Sequence, residues 1–346
     1  MSEPNAFSAS NNRCWERFDS KIYTRREHLE QAIIDKLAGA QGDRSPVLSI
    51  AGPPGVGKSW VLAQMGELWR RQAFFVFVLN VSQLTDPSQQ NGIKHELVRM
   101  ANDHCIGLDL DSVMLPSFSV LVEHLSRRAS AQCPGQRLFV LVDGCDDLSS
   151  QDDFDAFQRM YLAPFFPSGA GCFRMAVTRR LDLTNETLRD LATTLQVGML
   201  TSVEAISQCE KHLGRAIGWP NLPTNCAYGW NHPYINCYLL EHKASGLEIT
   251  LETLVNCCQL LISRSRLENR TGFRSVDEEL EELRLLTQKY PQGWTSADFR
   301  NTMRRDIDDT YISRSLVSVS GTGPIYRVVD GLHELLQVLP KKELRS

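Results

Sequence analysis

The sequence predicts an α/β fold: a parallel five-stranded sheet covered by helices, then a helical segment, then three helices closed by a hairpin. Three patterns predict it. Short apolar runs of strand length alternate with amphipathic helical runs as far as residue 201. The first apolar run leads directly into a glycine-rich turn and a helix. Beyond residue 201 strand patterns fade and helical ones take over. The organisation read from this is a Ser/Asn-rich leader (1–21), an α/β domain (22–201), a helical domain (202–272) and a helix-plus-hairpin domain (273–346).

The elements follow in order. Leu29, Ile33, Ile34 and Leu37 share one face of a helix from Arg26 to Leu37, and Gly39 to Pro46 breaks it. Val47 to Ala51 is a short apolar run bounded by Pro and Gly, the mark of a strand buried on both faces. A helix from Lys58 to Gln72 leads to a second strand, Phe74 to Val81, whose Phe74, Phe75 and Phe77 read as core. Helices Ile93 to His104 and Ser117 to Ala129 precede a third strand, Leu138 to Val142, which ends in acidic residues. Phe154 to Leu162 reads as a helix closed by Pro164 and Pro167. The fourth strand is Arg174 to Thr178 and the fifth Leu195 to Leu200. Helices are then expected over Val203 to Ile217, Pro233 to Lys243, Leu251 to Leu267, 276–289, 296–304 and 307–315. Two short strands (Leu316–Ser320 and Tyr326–Val329) and a final helix complete a winged helix-turn-helix pattern.

Composition excludes several function classes. The 346 residues carry 37 Lys and Arg against 41 Asp and Glu, a formal charge of −4, which is wrong for a nucleic-acid coat or a polybasic membrane binder. With 42% hydrophobic and 23% charged residues the chain is globular. Its longest apolar run, around Ala73 to Leu79, is far short of the ~20 residues of a membrane-spanning helix. The N-terminal residues lack a basic-then-apolar pattern, so a cytoplasmic protein is expected. The ten cysteines form no C-x-x-C pair and show no zinc-like spacing with histidine; they read as buried, reduced thiols, with Cys257 and Cys258 adjacent. Glu278, Glu279, Glu281 and Glu282 read as a solvated helix face, and Trp219, Trp230 and Trp294 as packing anchors.

The chemistry centres on Gly52-Pro53-Pro54-Gly55-Val56-Gly57-Lys58-Ser59, a complete G-x-x-x-x-G-K-[ST] motif between a strand and a helix. Glycines let backbone N–H groups close on a phosphate. Lys58 supplies charge to the β- and γ-phosphates, and Ser59 supplies a hydroxyl to Mg2+. The helix that starts here points its positive end at the anion. Trp60, the next residue, is taken with the loop as a cofactor-binding residue, its simpler reading being packing on the sheet. The third strand delivers Asp143 as a second Mg2+ ligand, and of the next acids, Asp146 and Asp147, one would orient the attacking water. Arg179 ends the fourth strand, where it would reach a γ-phosphate; Arg180 reads as solvated. The fold class expected is therefore a P-loop nucleoside triphosphatase.

Several segments together resemble the signal-transduction ATPases with numerous domains, the NACHT-like STAND class close to the AAA+ ATPases. Ile22-Tyr23-Thr24-Arg25-Arg26-Glu27 resembles the segment that opens such modules, with Arg25 where glycine is usual. Asp143-Gly144-Cys145-Asp146-Asp147 resembles the NACHT strand end, and Thr178-Arg179 the sensor after the fourth strand. Gly229-Trp230-Asn231-His232-Pro233-Tyr234 resembles the proline motif of the helical lid. Tyr326 to Leu332 resembles the winged-helix Met-His-Asp motif, with Val329 in place of the histidine. The resemblance covers residues 22–340. It implies that Tyr23, Arg26 and Pro233 border the base or sugar, that the cofactors are ATP or ADP with Mg2+, and that hydrolysis is slow. It further implies a nucleotide-dependent signalling or assembly switch that works with a protein partner or by self-assembly.

Two other readings stand beside this one. A DNA-associated AAA+ ATPase of the origin-recognition type would also join such a module to a winged helix. Ser275 to Ser346, however, carries 10 Lys and Arg against 12 Asp and Glu, with Asp306, Asp308 and Asp309 on the would-be recognition helix, so contact with nucleic acid is not expected. Arg304, Arg305 and Arg314 are the cations that could touch phosphates there. The third reading is a scaffold that binds nucleotide without hydrolysing it.

Overall fold

The computed structural model describes residues 18–38, 46–53, 55–108, 115–132, 137–145, 148, 151–166, 172–179, 191–213, 232–265, 275–306, 311, 316–320, 324–328 and 332–339. The chain divides into two compact units. The first comprises Met1–Ser20, Glu27–Ala51 and Lys58–Gln196; the second comprises Lys21–Arg26, Gly52–Gly57 and Val197–Ser346.

In the first unit, helix α1 (Glu27–Ala38) precedes strand β1 (Val47–Ala51) and helix α2 (Lys58–Arg71). Strand β2 (Phe75–Asn80) runs into a short α3 (Val81–Thr85) and a long α4 (Pro87–Asp103). Then come α5 (Phe118–Gln132), β3 (Leu138–Asp143), α6 (Gln151–Phe157), β4 (Phe173–Arg179) and β5 (Ala192–Gln196). The five strands form one sheet in the order β2-β3-β4-β1-β5, and every neighbouring pair is parallel. The α/β class and the strand count expected from the sequence are therefore present.

Side chains alternate across this sheet. Phe75, Phe77, Leu79, Leu138, Val140, Val142, Phe173, Met175 and Val177 belong to a core shared with α4, α5, α6 and the turns that follow it. The opposite face carries α2, where Trp69 stacks on Phe139 with ring centroids 3.9 Å apart and planes 9° from parallel. Strand β2, at one edge of the sheet under α3 and α4, and strand β3 beside it are buried at every position, which explains their unbroken apolar sequence.

The structure differs from the expectation at several points. The fifth strand is Ala192–Gln196, not Leu195–Leu200. It is a sheet edge, only half-buried, and three of its five residues (Thr193, Thr194 and Gln196) are polar; the apolar Val197 and Leu200 are buried beyond it. Helix α4 starts at Pro87, six residues before Ile93. The Asp86 side chain caps it by accepting from the Ser88 N–H at 2.9 Å, and its polar first turns carry no apolar period. The segment expected as one helix to Leu162 changes to a π turn (Gln158–Leu162) and then a 3₁₀ turn (Ala163–Phe165), which takes in Pro164. The glutamate cluster is not a solvated face throughout: Glu279 and Glu282 are buried, and Arg305 bonds both oxygens of Glu282, one of them at 2.7 Å.

In the second unit, α7 (Ser202–Leu213), α8 (Pro233–Ala244) and α9 (Leu251–Ser265) precede α10 (Val276–Lys289) and α11 (Ser296–Met303). Strands β6 (Val317–Ser320) and β7 (Ile325–Val328) form an antiparallel hairpin, and α12 (Leu332–Val338) follows. A single core runs from Ile235 and Leu239 of α8 through Leu261, Leu283 and Trp294 to Leu335 and Leu336 of α12. Ser275 and Thr295 start α10 and α11 with reciprocal capping boxes. Of the helix expected over 307–315 only Tyr311 lies within the described residues, and Trp219 and Trp230 lie outside them. Cys257 and Cys258 are fully buried, and burial pushes the Cys257 thiol up to about 12; the expectation of buried cysteines fails at Cys105, which is exposed, and at Cys172 and Cys237, which are half-buried.

The Trp69–Phe139 stack offers a direct check. Phe139→Ala should destabilise the chain by about 3–5 kcal/mol in urea unfolding. Val120→Ala, at a site 54% exposed, should stay within about 0.5 kcal/mol of wild type.

Candidate functional site

In the first unit, parallel pairing aligns the C-terminal ends of β3 and β4. Val142 pairs with Val177, so the next residues, Asp143 and Thr178, stand side by side on the α2 face. The helix starting at Lys58 brings Ser59 to the same place. The Ser59 hydroxyl donates to Asp143 Oδ1 at 2.9 Å, although the two residues lie 84 positions apart. The Thr178 hydroxyl donates to the same oxygen. Asp143 is 4% exposed and Lys58 7%. A buried carboxylate is costly unless it is hydrogen-bonded, and two hydroxyls meet that need here. Thr178 was quoted in the sequence only as part of a resemblance. The signal that could have found it is its place one register step from Asp143.

Arg179 ends β4 and pairs with Ala51, the last residue of β1. One residue on from Thr178, it is buried with its guanidinium 4.5 Å from the ring of Phe154, which belongs to the core on the other sheet face. Trp60 is half-buried, and its ring meets that of Phe18 edge-on at 5.7 Å. Asp146 and Asp147 lie outside the described residues.

In the second unit, the loop Gly52–Gly57 is held by the segments around it. Pro54 lies outside the described residues. Gly55 and Gly57 have φ of +79° and +91°, in the left-handed region where a side chain is strained. A Cβ on Gly55 would stand 2.6 Å from Cε1 of His232, whereas one on Gly57 would meet nothing nearer than Pro233 at 4.0 Å. The Tyr234 N–H donates to the Gly55 carbonyl at 3.2 Å. His232 caps α8, its Nδ1 accepting from the Ile235 N–H at 3.4 Å, and Pro233 is the first helical residue.

Arg26 is buried and holds three carbonyls: Nη1 donates to Val56 O at 3.1 Å, and Nη2 to Gly198 O at 2.9 Å and Met199 O at 3.0 Å. Burial draws its pKa below the usual arginine value, opposed by Glu204 and Tyr23. Tyr23 is buried, and its carbonyl accepts from the Lys211 ammonium. Arg26 thus ties the opening segment, the glycine loop and the chain after β5 together.

Three cations read from the sequence as able to touch phosphates in a DNA contact. Arg305 bonds Glu282 and covers the Phe299 ring at 5.1 Å. Arg304 closes α11 in the left-handed conformation, and Arg314 lies outside the described residues. Asp306 accepts from Arg300 Nε at 2.7 Å.

Hydroxyl and carboxylate oxygens side by side are hard ligands, a donor set that fits Mg2+. The first unit is a parallel five-stranded α/β fold with the acid Asp143 at the end of β3 against Ser59, and the chain carries a complete P-loop motif at 52–59. No family model and no curated protein matches the chain. Among solved structures, it is similar to a signal transduction ATPase with numerous domains that carries a tetratricopeptide repeat sensor, from Pyrococcus horikoshii. That likeness has 16% identity and a TM-score of 0.42, and covers 93% of this chain and 43% of that one. It is similar to a chain of Drosophila ORC bound to DNA at 13% identity and a TM-score of 0.37, over 89% of this chain and 92% of that one. Domain III of the Thermotoga maritima replication initiation protein DnaA matches at 12% identity and a TM-score of 0.40, over 70% and 95%. The chain thus spans less than half the length of the first of these. No helix among the described residues is long and apolar enough to cross a membrane.

The two loop glycines separate strain from crowding. Gly57→Ala should cost about 1–2 kcal/mol from its backbone angle alone. Gly55→Ala should cost more, because His232 must also move. Thermal unfolding of the two variants gives the order; equal losses would remove the crowding argument.

Proposed function

We propose that this chain is an Mg2+-dependent ATP-binding protein of the P-loop class that hydrolyses ATP slowly and serves as a nucleotide-dependent switch with a protein partner. The observation that carries this reading is the hydrogen bond from Ser59, the last residue of the phosphate motif, to Asp143 at the end of β3. In this reading the backbone of Gly52–Gly57 receives the phosphates and Lys58 neutralises the β- and γ-phosphate charge. Ser59 and Asp143 hold Mg2+, which supplies charge neutralisation on the transferring group. Thr178 keeps the Asp143 carboxylate turned toward Ser59. Asp146 or Asp147 is the proposed acceptor for the proton of the attacking water. Tyr23, Arg26, Trp60 and Pro233 are the proposed base- and sugar-side residues, with Arg26 acting through the loop carbonyl it bonds.

The switch reading rests on the resemblance in residues 22–340, including the lid-like and winged-helix-like order of elements. A ligand shifts a conformational equilibrium only through contacts that differ between states. The γ-phosphate is the group that ATP has and ADP lacks, so its contacts must supply the difference.

Nucleotide titration in magnesium buffer and phosphate release test the proposal. Lys58→Ala should weaken ATP binding at least tenfold, about 1.4 kcal/mol. It should also lower turnover by about 100-fold. Equal phosphate release by wild type and Lys58→Ala would remove the ATPase. Thr178→Val should keep the fold and raise the Mg2+ concentration needed for binding, since Asp143 loses one of its two hydroxyl donors. Arg179→Ala decides the role of that side chain: lost turnover would place it in the reaction, and unchanged turnover would leave it to packing over Phe154. A DNA shift assay in low salt should show no binding; a salt-dependent shift would favour the origin-recognition reading.

A further inference from the structure

On two helices of the second unit, tertiary packing brings together three side chains, one of them 25 residues from the nearest other in sequence. His212 is near the end of α7, and Cys237 and Glu241 stand four residues apart on one face of α8. Cys237 Sγ lies 3.5 Å from His212 Nε2 and 3.5 Å from Glu241 Oε1, and all three donor atoms fall within 4.8 Å of one another. His212 and Cys237 are half-buried, and Glu241 is exposed.

We propose that His212, Cys237 and Glu241 form a site for a divalent cation of the zinc type. Zinc binds thiolate sulfur at about 2.3 Å and imidazole nitrogen or carboxylate oxygen at about 2.0–2.1 Å, so tetrahedral angles set sulfur about 3.5 Å from its neighbouring ligand atoms. Both separations from Cys237 Sγ have this value, and the His212 and Glu241 donor atoms lie within 4.8 Å of each other, so rotation of the Glu241 side chain would complete the three-ligand set. The donors are one sulfur, one nitrogen and one oxygen, a set that selects zinc over magnesium or calcium. Three protein ligands leave a fourth position for water.

The scaffold is set before the ion arrives. Asn236, fully buried on α8, donates to Gln208 Oε1 of α7 at 2.7 Å and to Ala205 O at 3.4 Å. Gln208 in turn donates to Pro233 O at 3.2 Å. These bonds hold the two helices in one register, which lowers the ordering cost of binding. On binding, the Cys237 thiol proton passes to solvent and the sulfur–metal bond forms, with no change of oxidation state. The ion would clasp α7 to α8. This assignment does not depend on the nucleotide reading.

Titration of the metal-free full chain with Co2+ tests it. Wild type should take up a single equivalent, with a thiolate-to-cobalt charge-transfer band that Zn2+ displaces. Cys237→Ser should abolish the band, and His212→Gln should weaken binding at least tenfold. Glu241→Gln changes an exposed residue and should also weaken binding, which keeps the test decisive should Cys237→Ser fail to fold. Cys105→Ser removes an exposed thiol outside the site, and Lys58→Ala removes the phosphate-loop cation; both should leave the spectrum unchanged. No band in wild type, or a band that survives Cys237→Ser or is lost in Cys105→Ser, would overturn the assignment. So would unchanged affinity in both His212→Gln and Glu241→Gln.

Discussion

The buried carboxylate of Asp143 is the constraint on which the first unit turns. A charged or polar group removed from water must find partners, and Asp143 finds Ser59 and Thr178 on a single oxygen. Those partners come from two places in the chain: the start of the helix after β1 and the end of β4. They meet only because β4 lies between β1 and β3 in the sheet. A strand order without that insertion would separate Thr178 from Asp143. The sheet's buried pleat therefore does two things at once: it sorts core side chains to the two faces, and it carries that sorting to the strand ends, where polar side chains replace apolar ones.

The second unit solves a different problem. A loop with two left-handed glycines is not held by its own side chains, and the backbone conformation must be secured from outside. Arg26 does this with fixed donors on carbonyls of Val56, Gly198 and Met199, and Tyr234 adds a backbone bond to Gly55. A lysine could not span those carbonyls with the same planar fork. His232 and Tyr234 approach so closely that residue 55 has no room for a side chain. The lid-like motif Gly229 to Tyr234, met in the sequence as a resemblance, contributes through these two residues to the packing of the loop.

Much of the sheet was legible because burial on both faces leaves an unbroken apolar run, as in Phe75–Leu79 and Leu138–Val142. Strand β5 was misplaced for the converse reason: Ala192–Gln196 is half-exposed and mostly polar, and the apolar residues just after it drew the reading away. The glutamates of α10 were read as solvent-facing because charge alone says nothing about a partner 23 residues distant, and Arg305 is that partner for Glu282. The zinc-like cluster escaped because its ligands are 25 residues apart on two helices, with none of the close spacing that marks a finger.

By itself the sequence determined what depends on neighbours along the chain. That includes the glycine-rich turn after β1, the helix starting at Lys58, the acid ending an apolar strand, and the alternation that makes a parallel sheet. Tertiary structure decided what depends on strand order and on which face a residue meets. It set Asp143 against Ser59 and Thr178, turned Arg179 onto Phe154, spent Arg26 on the loop carbonyls, and gathered His212, Cys237 and Glu241. The division is physical. Periodicity and backbone conformation are settled within a few residues, whereas the partner of a buried charge is settled only when distant segments close on one another.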